Sequence, residues 1–281
     1  MKTKERIVIV GGGFAGLNLI KGLDKRRFEV ILVDRNNFHS FPPLFYQIAS
    51  SGLDPASISF PFRREMRKGK VKGARFHLGE VKRIDVDRKE LQTQYETLSY
   101  DRLIIAAGTT NNFFGNPELI KYVYTIKSVS EAMRTRDEIL DRLERASLTH
   151  DAELRRRLLS FVVVGGGPSG VEVAGALGEM KRDIIKREYP SIDIDEVNIT
   201  LLEGSDKLLG AMSPQSSAKA LKYLGELMVD VRLGHVMKEY TDEQVTIDDG
   251  TRLTAGMVIW TAGVTGVTFD MGGTGPTLVR G

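Results

Sequence analysis

The stretch IVIVGGGFAG, residues 7–16, decides the fold. Four β-branched apolar residues in a row suit a strand buried on both faces, as in a parallel sheet. Glycines follow at once, and Leu17, Ile20 and Leu23 then recur at helical spacing. Residues 28–33 are a second buried strand, ending at Asp34. Strand, glycine turn, helix and strand make a βαβ unit with Gly11-x-Gly13-x-x-Gly16 at its turn. In that spacing Gly11 permits the tight turn, Gly13 lets a pyrophosphate approach the backbone, and Gly16 lets the helix lie against the strand. The helix N-terminus offers the phosphates free N–H groups and a positive dipole end. Asp34 stands where an acid grips a ribose hydroxyl.

The same order returns. FVVVGGGPSG, residues 161–170, echoes the opening run and carries Gly165-x-Gly167-x-x-Gly170. A helix pattern over 171–186 follows, then a strand over 197–202 ending at Glu203. Each half closes on a buried strand with a small-residue end: residues 100–106 before Ala107-Gly108-Thr109, and residues 257–260 before Thr261-Ala262-Gly263. Repetition of a whole supersecondary order is hard to obtain by accident. An acid at Glu203 accepts from both ribose hydroxyls and repels a 2′-phosphate, so the second ligand should be NAD(H), although Lys207 lies nearby. Two dinucleotide folds suggest two dinucleotides, most economically one flavin and one nicotinamide.

Between these landmarks, residues 36–53 read as an irregular loop with a short helix near 46–50. Residues 75–78, 80–87 and 90–95 read as short strands, and residues 128–160 as a helical connector. The basic run 62–72 reads as a solvated helix face rather than a membrane or nucleic-acid patch.

Composition removes whole classes of function. The chain has 281 residues, enough for two domains, and a net charge of +3, too small for a dedicated nucleic-acid binder. It has no cysteine, which excludes disulfide scaffolds, thiolate metal sites, cysteine-held iron–sulfur clusters and redox thiol pairs. Four scattered histidines without an HExxH spacing make a metal site unexpected. With a charged start and no stretch of membrane-spanning length, the default compartment is the cytoplasm.

These residues carry a resemblance. The chain is similar to the two-dinucleotide-binding-domain flavoproteins, the glutathione reductase-like group, and within it to the type II NADH dehydrogenases, single-subunit NADH:quinone oxidoreductases. The matching segments are GGGFAGL (11–17), NNFHSFPPLFYQIASSGLDP (36–55), Ala107-Gly108-Thr109, VVVGGGPSGVEVAGAL (162–177) and IWTAGV (259–264). FPPLFYQ and GVEVAG are the selective ones.

The resemblance implies an α/β chain of two Rossmann-like domains: 1–122 binding FAD, 123–263 binding NADH, and 264–281 returning towards the first. Gly11, Gly13, Phe14, Ala15 and Gly16 would hold the FAD pyrophosphate and Asp34 its ribose. Val81 would touch adenine through its backbone, Ala107, Gly108 and Thr109 would lie against the flavin, and Pro43 and Gln47 would approach the isoalloxazine. Gly165, Gly167, Pro168 and Gly170 would hold the NADH phosphates, Glu203 its ribose, and Ala262 and Gly263 would line the nicotinamide cleft. Glu172 would face nicotinamide and flavin as the catalytic acid, although an acid early in a helix is also favourable on dipole grounds alone.

The resemblance also implies a quinone acceptor, peripheral attachment of the full-length form to the inner face of the cell membrane, and a homodimeric option. Family members continue beyond the length of this chain with a Gly-Asp strand closing on the flavin and amphipathic helices that bind membrane and quinone, so a C-terminally truncated chain is the expectation. Two alternatives stay open: a nucleotide-binding fragment without turnover, and a flavin reductase serving a soluble protein.

Overall fold

The computed structural model describes residues 4–272. Contacts divide the chain into two compact units: one from the described parts of residues 1–41, 56–110 and 264–281, the other from 42–55 and 111–263.

The first unit is built on a four-stranded parallel sheet in the order Arg75–Leu78, Phe28–Asp34, Glu5–Val10, Arg102–Ile105. The continuous apolar run explains its burial on both faces. Ile7, Ile9 and Leu32 turn to one face, where they pack with Leu17 and Ile20 of helix Phe14–Gly22 and with Phe62 and Phe76. Val8, Val10, Ile31 and Val33 turn to the other, against Ile84, Leu91 and Leu98. Those three residues belong to an antiparallel meander, Val81–Asp85, Glu90–Thr93 and Thr97–Ser99. Each fully buried Val, Leu or Ile contributes about 1.5–3 kcal/mol.

The second unit repeats this layering. Its parallel sheet runs Asp230–Leu233, Asn198–Glu203, Ser160–Val164, Met257–Trp260. Phe161, Val163, Leu201 and Ile259 face helices Val129–Leu148 and Pro168–Glu179. Val162, Val164, Leu202 and Val258 face a second meander of Met237–Thr241, Gln244–Ile247 and Arg252–Thr254.

The local structure departs from sequence expectation in four places. The basic run is not one helix face: it holds a four-residue helix, Phe62–Glu65, and a single turn, Gly69–Val71, because Gly69 (φ 48°) and Gly73 (φ 93°) break the chain while Phe62, Met66 and Val71 are buried. The connector is two helices, Val129–Leu148 and Ala152–Leu158, the second restarted by Asp151, whose carboxylate accepts the Glu153 and Leu154 N–H groups. Helix Pro214–Glu226 and edge strand Asp230–Leu233 complete the second unit without having been anticipated. Contacts also divide the chain at residues 110/111, not 122/123, and assign 42–55 to the second unit. Helix Phe45–Ala49 packs on helices Val129–Leu148 and Pro168–Glu179, with Tyr46 against their core.

Candidate functional site

In the first unit the glycine loop is shaped by what a side chain would strike. Gly11 has φ 102°, and a Cβ there would lie 2.3 Å from the Ala106 carbonyl oxygen. At Gly16 a Cβ would lie 2.0 Å from the Gly11 oxygen. Both positions are therefore closed by the fold itself. Gly13 differs: its backbone is extended and nothing lies within 4 Å of where a Cβ would stand. It is also the N-cap of helix Phe14–Gly22 and supplies no side-chain cap. The first helical bond is Leu17 N–H to the Gly13 oxygen at 3.1 Å, which leaves the N–H groups of Phe14, Ala15 and Gly16 as donors facing the open position.

Asp34 holds this loop in shape. Its Oδ2 accepts the Gly12 N–H at 2.6 Å and its Oδ1 accepts the Asn36 N–H at 2.8 Å. A carboxylate has about four acceptor directions, so capacity for a ribose hydroxyl remains. The Gly79 N–H donates to the Asp34 carbonyl at 2.9 Å, which starts Val81 beside that strand end. Ala107 and Gly108 (φ 71°) turn the chain out of strand Arg102–Ile105 into Thr109–Asn111.

The second unit has the same construction. Gly165 has φ 107°, and a Cβ there would meet the Ala262 backbone at 2.8 Å; at Gly170 it would lie 1.7 Å from the Gly165 oxygen. Gly167 is again open, with nothing within 4 Å, and again an N-cap without a side chain, with Pro168 at the first helical position. Glu203 Oε2 accepts the Gly166 N–H at 2.5 Å, and Oε1 accepts the Ser205 N–H and hydroxyl at 2.8 and 2.7 Å. Ala262 and Gly263 (φ 74°) follow the strand Met257–Trp260, and the Phe114 ring fills the space where a Gly263 side chain would stand.

The uncapped starts are selective. The other two helices of nine or more described residues, Val129–Leu148 and Pro214–Glu226, are capped by Ser128 and Ser213, which accept the Glu131 and Ser216 N–H groups. Of these four helices, only the two that follow the glycine loops leave their first-turn donors to an outside anion, with no acidic side chain in that turn. A pyrophosphate at each loop and a ribose at each acid fit these donors and openings. Among the described residues no cluster could hold a metal ion.

Glu172 lies in helix Pro168–Glu179, two residues beyond Gly170, the last of the free first-turn donors. Its surface area is that of an exposed residue, yet the protein around it desolvates the carboxyl enough to raise its pKa above the usual value. Pro43 lies in the turn Pro42–Leu44 and Gln47 in helix Phe45–Ala49, where its Nε2 is 3.2 Å from the Tyr46 hydroxyl. Pro43, Gln47, Glu172, Gly165, Gly167, Pro168, Gly170, Glu203, Ala262 and Gly263 thus belong to one unit. Gly11, Gly13, Phe14, Ala15, Gly16, Asp34, Val81, Ala107, Gly108 and Thr109 belong to the other.

Several supporting residues escaped sequence reasoning. Gly12 is glycine because the Phe62 ring occupies the place of its Cβ, 2.1 Å away, and Gly166 because Leu208 and the Glu203 stem occupy its own. His39 is buried, with Nδ1 2.8 Å from the Gly12 oxygen, and carries the Phe14 ring edge-on at 5.6 Å. The Thr261 hydroxyl bridges the Val164 and Gly165 oxygens at 2.8 and 3.1 Å. The visible signal was the middle glycine of GGG, repeated in both loops.

Two parallel sheets, each with an uncapped glycine loop and an acid on the next strand, define a protein of two dinucleotide-binding folds. The family model for pyridine nucleotide-disulphide oxidoreductases matches residues 5–274, and the chain belongs to that family. It is 34% identical over 270 residues to the type II NADH:quinone oxidoreductase Ndh of Mycobacterium tuberculosis, covering 93% of this chain and 58% of the relative. It is 29% identical to the external alternative NAD(P)H-ubiquinone oxidoreductase B4 of Arabidopsis thaliana mitochondria, covering 93% of this chain and 47% of the relative. The structure of NDH2 from Plasmodium falciparum in complex with NADH superposes with a TM-score of 0.88 at 26% identity, over 94% of this chain and 56% of that one. The chain thus spans about half the length of these proteins.

Proposed function

We propose that this chain is the nucleotide-binding portion of an FAD-dependent NADH:quinone oxidoreductase. The observation that carries this is the pair of open, uncapped glycine loops, at Gly13 and Gly167, each with an acid bonded behind it. The first unit would hold FAD: Phe14, Ala15 and Gly16 donate N–H groups to its pyrophosphate, Asp34 accepts from its ribose, and Val81, Ala107, Gly108 and Thr109 lie along it. The second would hold NADH: Pro168 and Gly170 start the helix that faces its phosphates, and Glu203 accepts from its ribose and repels a 2′-phosphate. With both bound, the chemistry supplied is hydride transfer from nicotinamide to flavin and release of the electron pair to a quinone.

Glu172 is the acid assigned to the reacting region. Its desolvated carboxyl is poised to stay protonated at a higher pH than an ordinary glutamate and so to hold a proton for the acceptor. Pro43 and Gln47 are assigned to the flavin side. The relatives named above as quinone oxidoreductases support the acceptor. The proposal extends to a peripheral position of the full-length form on the inner face of the cell membrane and to its pairing as a homodimer. No helix among the described residues is long and apolar enough to cross a membrane.

Anaerobic spectroscopy tests the reading. The purified chain, supplied with FAD, should show flavin absorption that bleaches on adding NADH and returns on adding a soluble quinone analogue. A protein that takes up no flavin, or whose flavin NADH cannot bleach, sinks it.

A further inference from the structure

The first sheet ends on an edge that no described residue closes. Among the described residues, strand Arg75–Leu78 pairs only with Phe28–Asp34. The Gly79 N–H donates inward to the Asp34 oxygen, so by alternation the backbone groups of Phe76 and Leu78 point outward. They find no hydrogen-bond partner on that side among the described residues. Alongside runs an open groove of about 770 Å³. Arg63, Met66 and Arg67 form one wall, and Tyr95 and Glu96 the other.

The groove is basic, and two of the three arginines that line it, Arg63 and Arg67, are uncommitted. Arg63 and Arg67 have no acidic partner among the described residues. The Arg63 guanidinium rests over the Phe76 ring, 5.2 Å from its centroid, which fixes it at the strand edge and leaves its N–H fork available. The acids nearby are engaged elsewhere: Glu96 pairs with His77 at 2.8 Å, and Glu29 is held by Arg6 and Arg75 at 2.8 and 2.9 Å. Tyr95 and Leu78 expose apolar surface, at 69% and 39%. Neither proline nor bulge blunts this strand.

We propose that this edge is a docking site for an extended acidic segment of a partner protein. The segment adds as a fifth strand beside Arg75–Leu78. Its backbone pairs with the outward groups of Phe76 and Leu78, and its carboxylates engage Arg63 and Arg67. Backbone pairing supplies the strand geometry, and charge complementarity selects an acidic partner over a neutral one.

A fluorescent peptide of alternating glutamate and valine, titrated into the whole 281-residue chain, tests this by anisotropy. The peptide should bind, and the double charge reversal Arg63→Glu with Arg67→Glu should weaken it about tenfold or more. Arg67→Glu alone should weaken it to a smaller degree, and circular dichroism should show both variants folded. A peptide N-methylated at alternate residues, with the same charge but no strand pairing, should also bind about tenfold more weakly. No binding by the parent peptide overturns the proposal, and so does indifference to the charge reversals. Equal binding of the N-methylated peptide, or full competition by inorganic phosphate, overturns it in favour of a simple anion site. Flavin uptake and NADH bleaching should be the same in the Arg67→Glu variant as in the parent, so failure here is distinct from failure of the proposed function.

Discussion

Gly167→Ala and Gly170→Ala, three residues apart in one loop, should fail in opposite ways. At Gly170 the added methyl would stand 1.7 Å from the Gly165 oxygen and 2.8 Å from the Thr261 hydroxyl, so helix Pro168–Glu179 must move off its strand. Overpacking of this kind costs about 1–3 kcal/mol, and against backbone the upper end applies. For a unit of this size that lowers Tm by roughly 4–10 °C. At Gly167 the methyl meets nothing within 4 Å, and the backbone, at φ −71° and ψ −178°, suits alanine. Loss of unfolded-state freedom should stabilise the fold by about 0.4–1 kcal/mol, a rise of roughly 1–3 °C. The space the methyl takes is the space assigned to the NADH pyrophosphate. Affinity should therefore drop about tenfold to a hundredfold, or roughly 1.4–2.8 kcal/mol. Differential scanning fluorimetry reads the first quantity and isothermal titration with NADH the second. If Gly167→Ala binds NADH like the parent, the open glycine is not a phosphate cradle. If it melts lower, the loop is shaped by forces other than those described.

Two further outcomes follow from the acids. Glu203→Gln keeps the shape but removes the charge that accepts the Gly166 and Ser205 N–H groups, so the preference for NADH over NADPH should narrow by about tenfold; an unchanged ratio of the two dissociation constants refutes that role. At Glu172 the folded carboxyl sits above its ordinary 4.5, so the stability it contributes is complete below 4.5 and is lost as pH rises through the folded value. Glu172→Gln, a mimic of the protonated acid, should match the parent's Tm in acid and exceed it at neutral pH. A Tm difference that does not change with pH contradicts the desolvation.

Much of the site could be read directly. Gly16 and Gly170 are closed by the Gly11 and Gly165 oxygens of their own βαβ units, and such contacts follow from local geometry, whereas Gly11 and Gly165 are closed by Ala106 and Ala262 at the ends of strands distant in sequence. Asp34 and Glu203 were legible for the same reason: the strand that ends at the acid lies beside the strand that ends at the loop. Phe62 was not. It reads as the start of a basic run, yet its ring is only 1% exposed and fills the space beside Gly12, fifty positions earlier. His39 was passed over likewise, since its partner is a carbonyl 27 residues away.

By itself the sequence determined the layered βαβ architecture, its duplication and the two candidate nucleotide loops, because hydrophobic periodicity and glycine spacing act over a few residues. Tertiary structure alone decided that Gly13 and Gly167 are open while their neighbours are closed, since an empty volume is defined by residues distant in the chain. It also decided that residues 42–55 pack with the second unit and that Arg75–Leu78 is an unpaired edge beside two uncommitted arginines. Which strand lies outermost, and what packs beside it, depends on long-range pairing that no local pattern encodes.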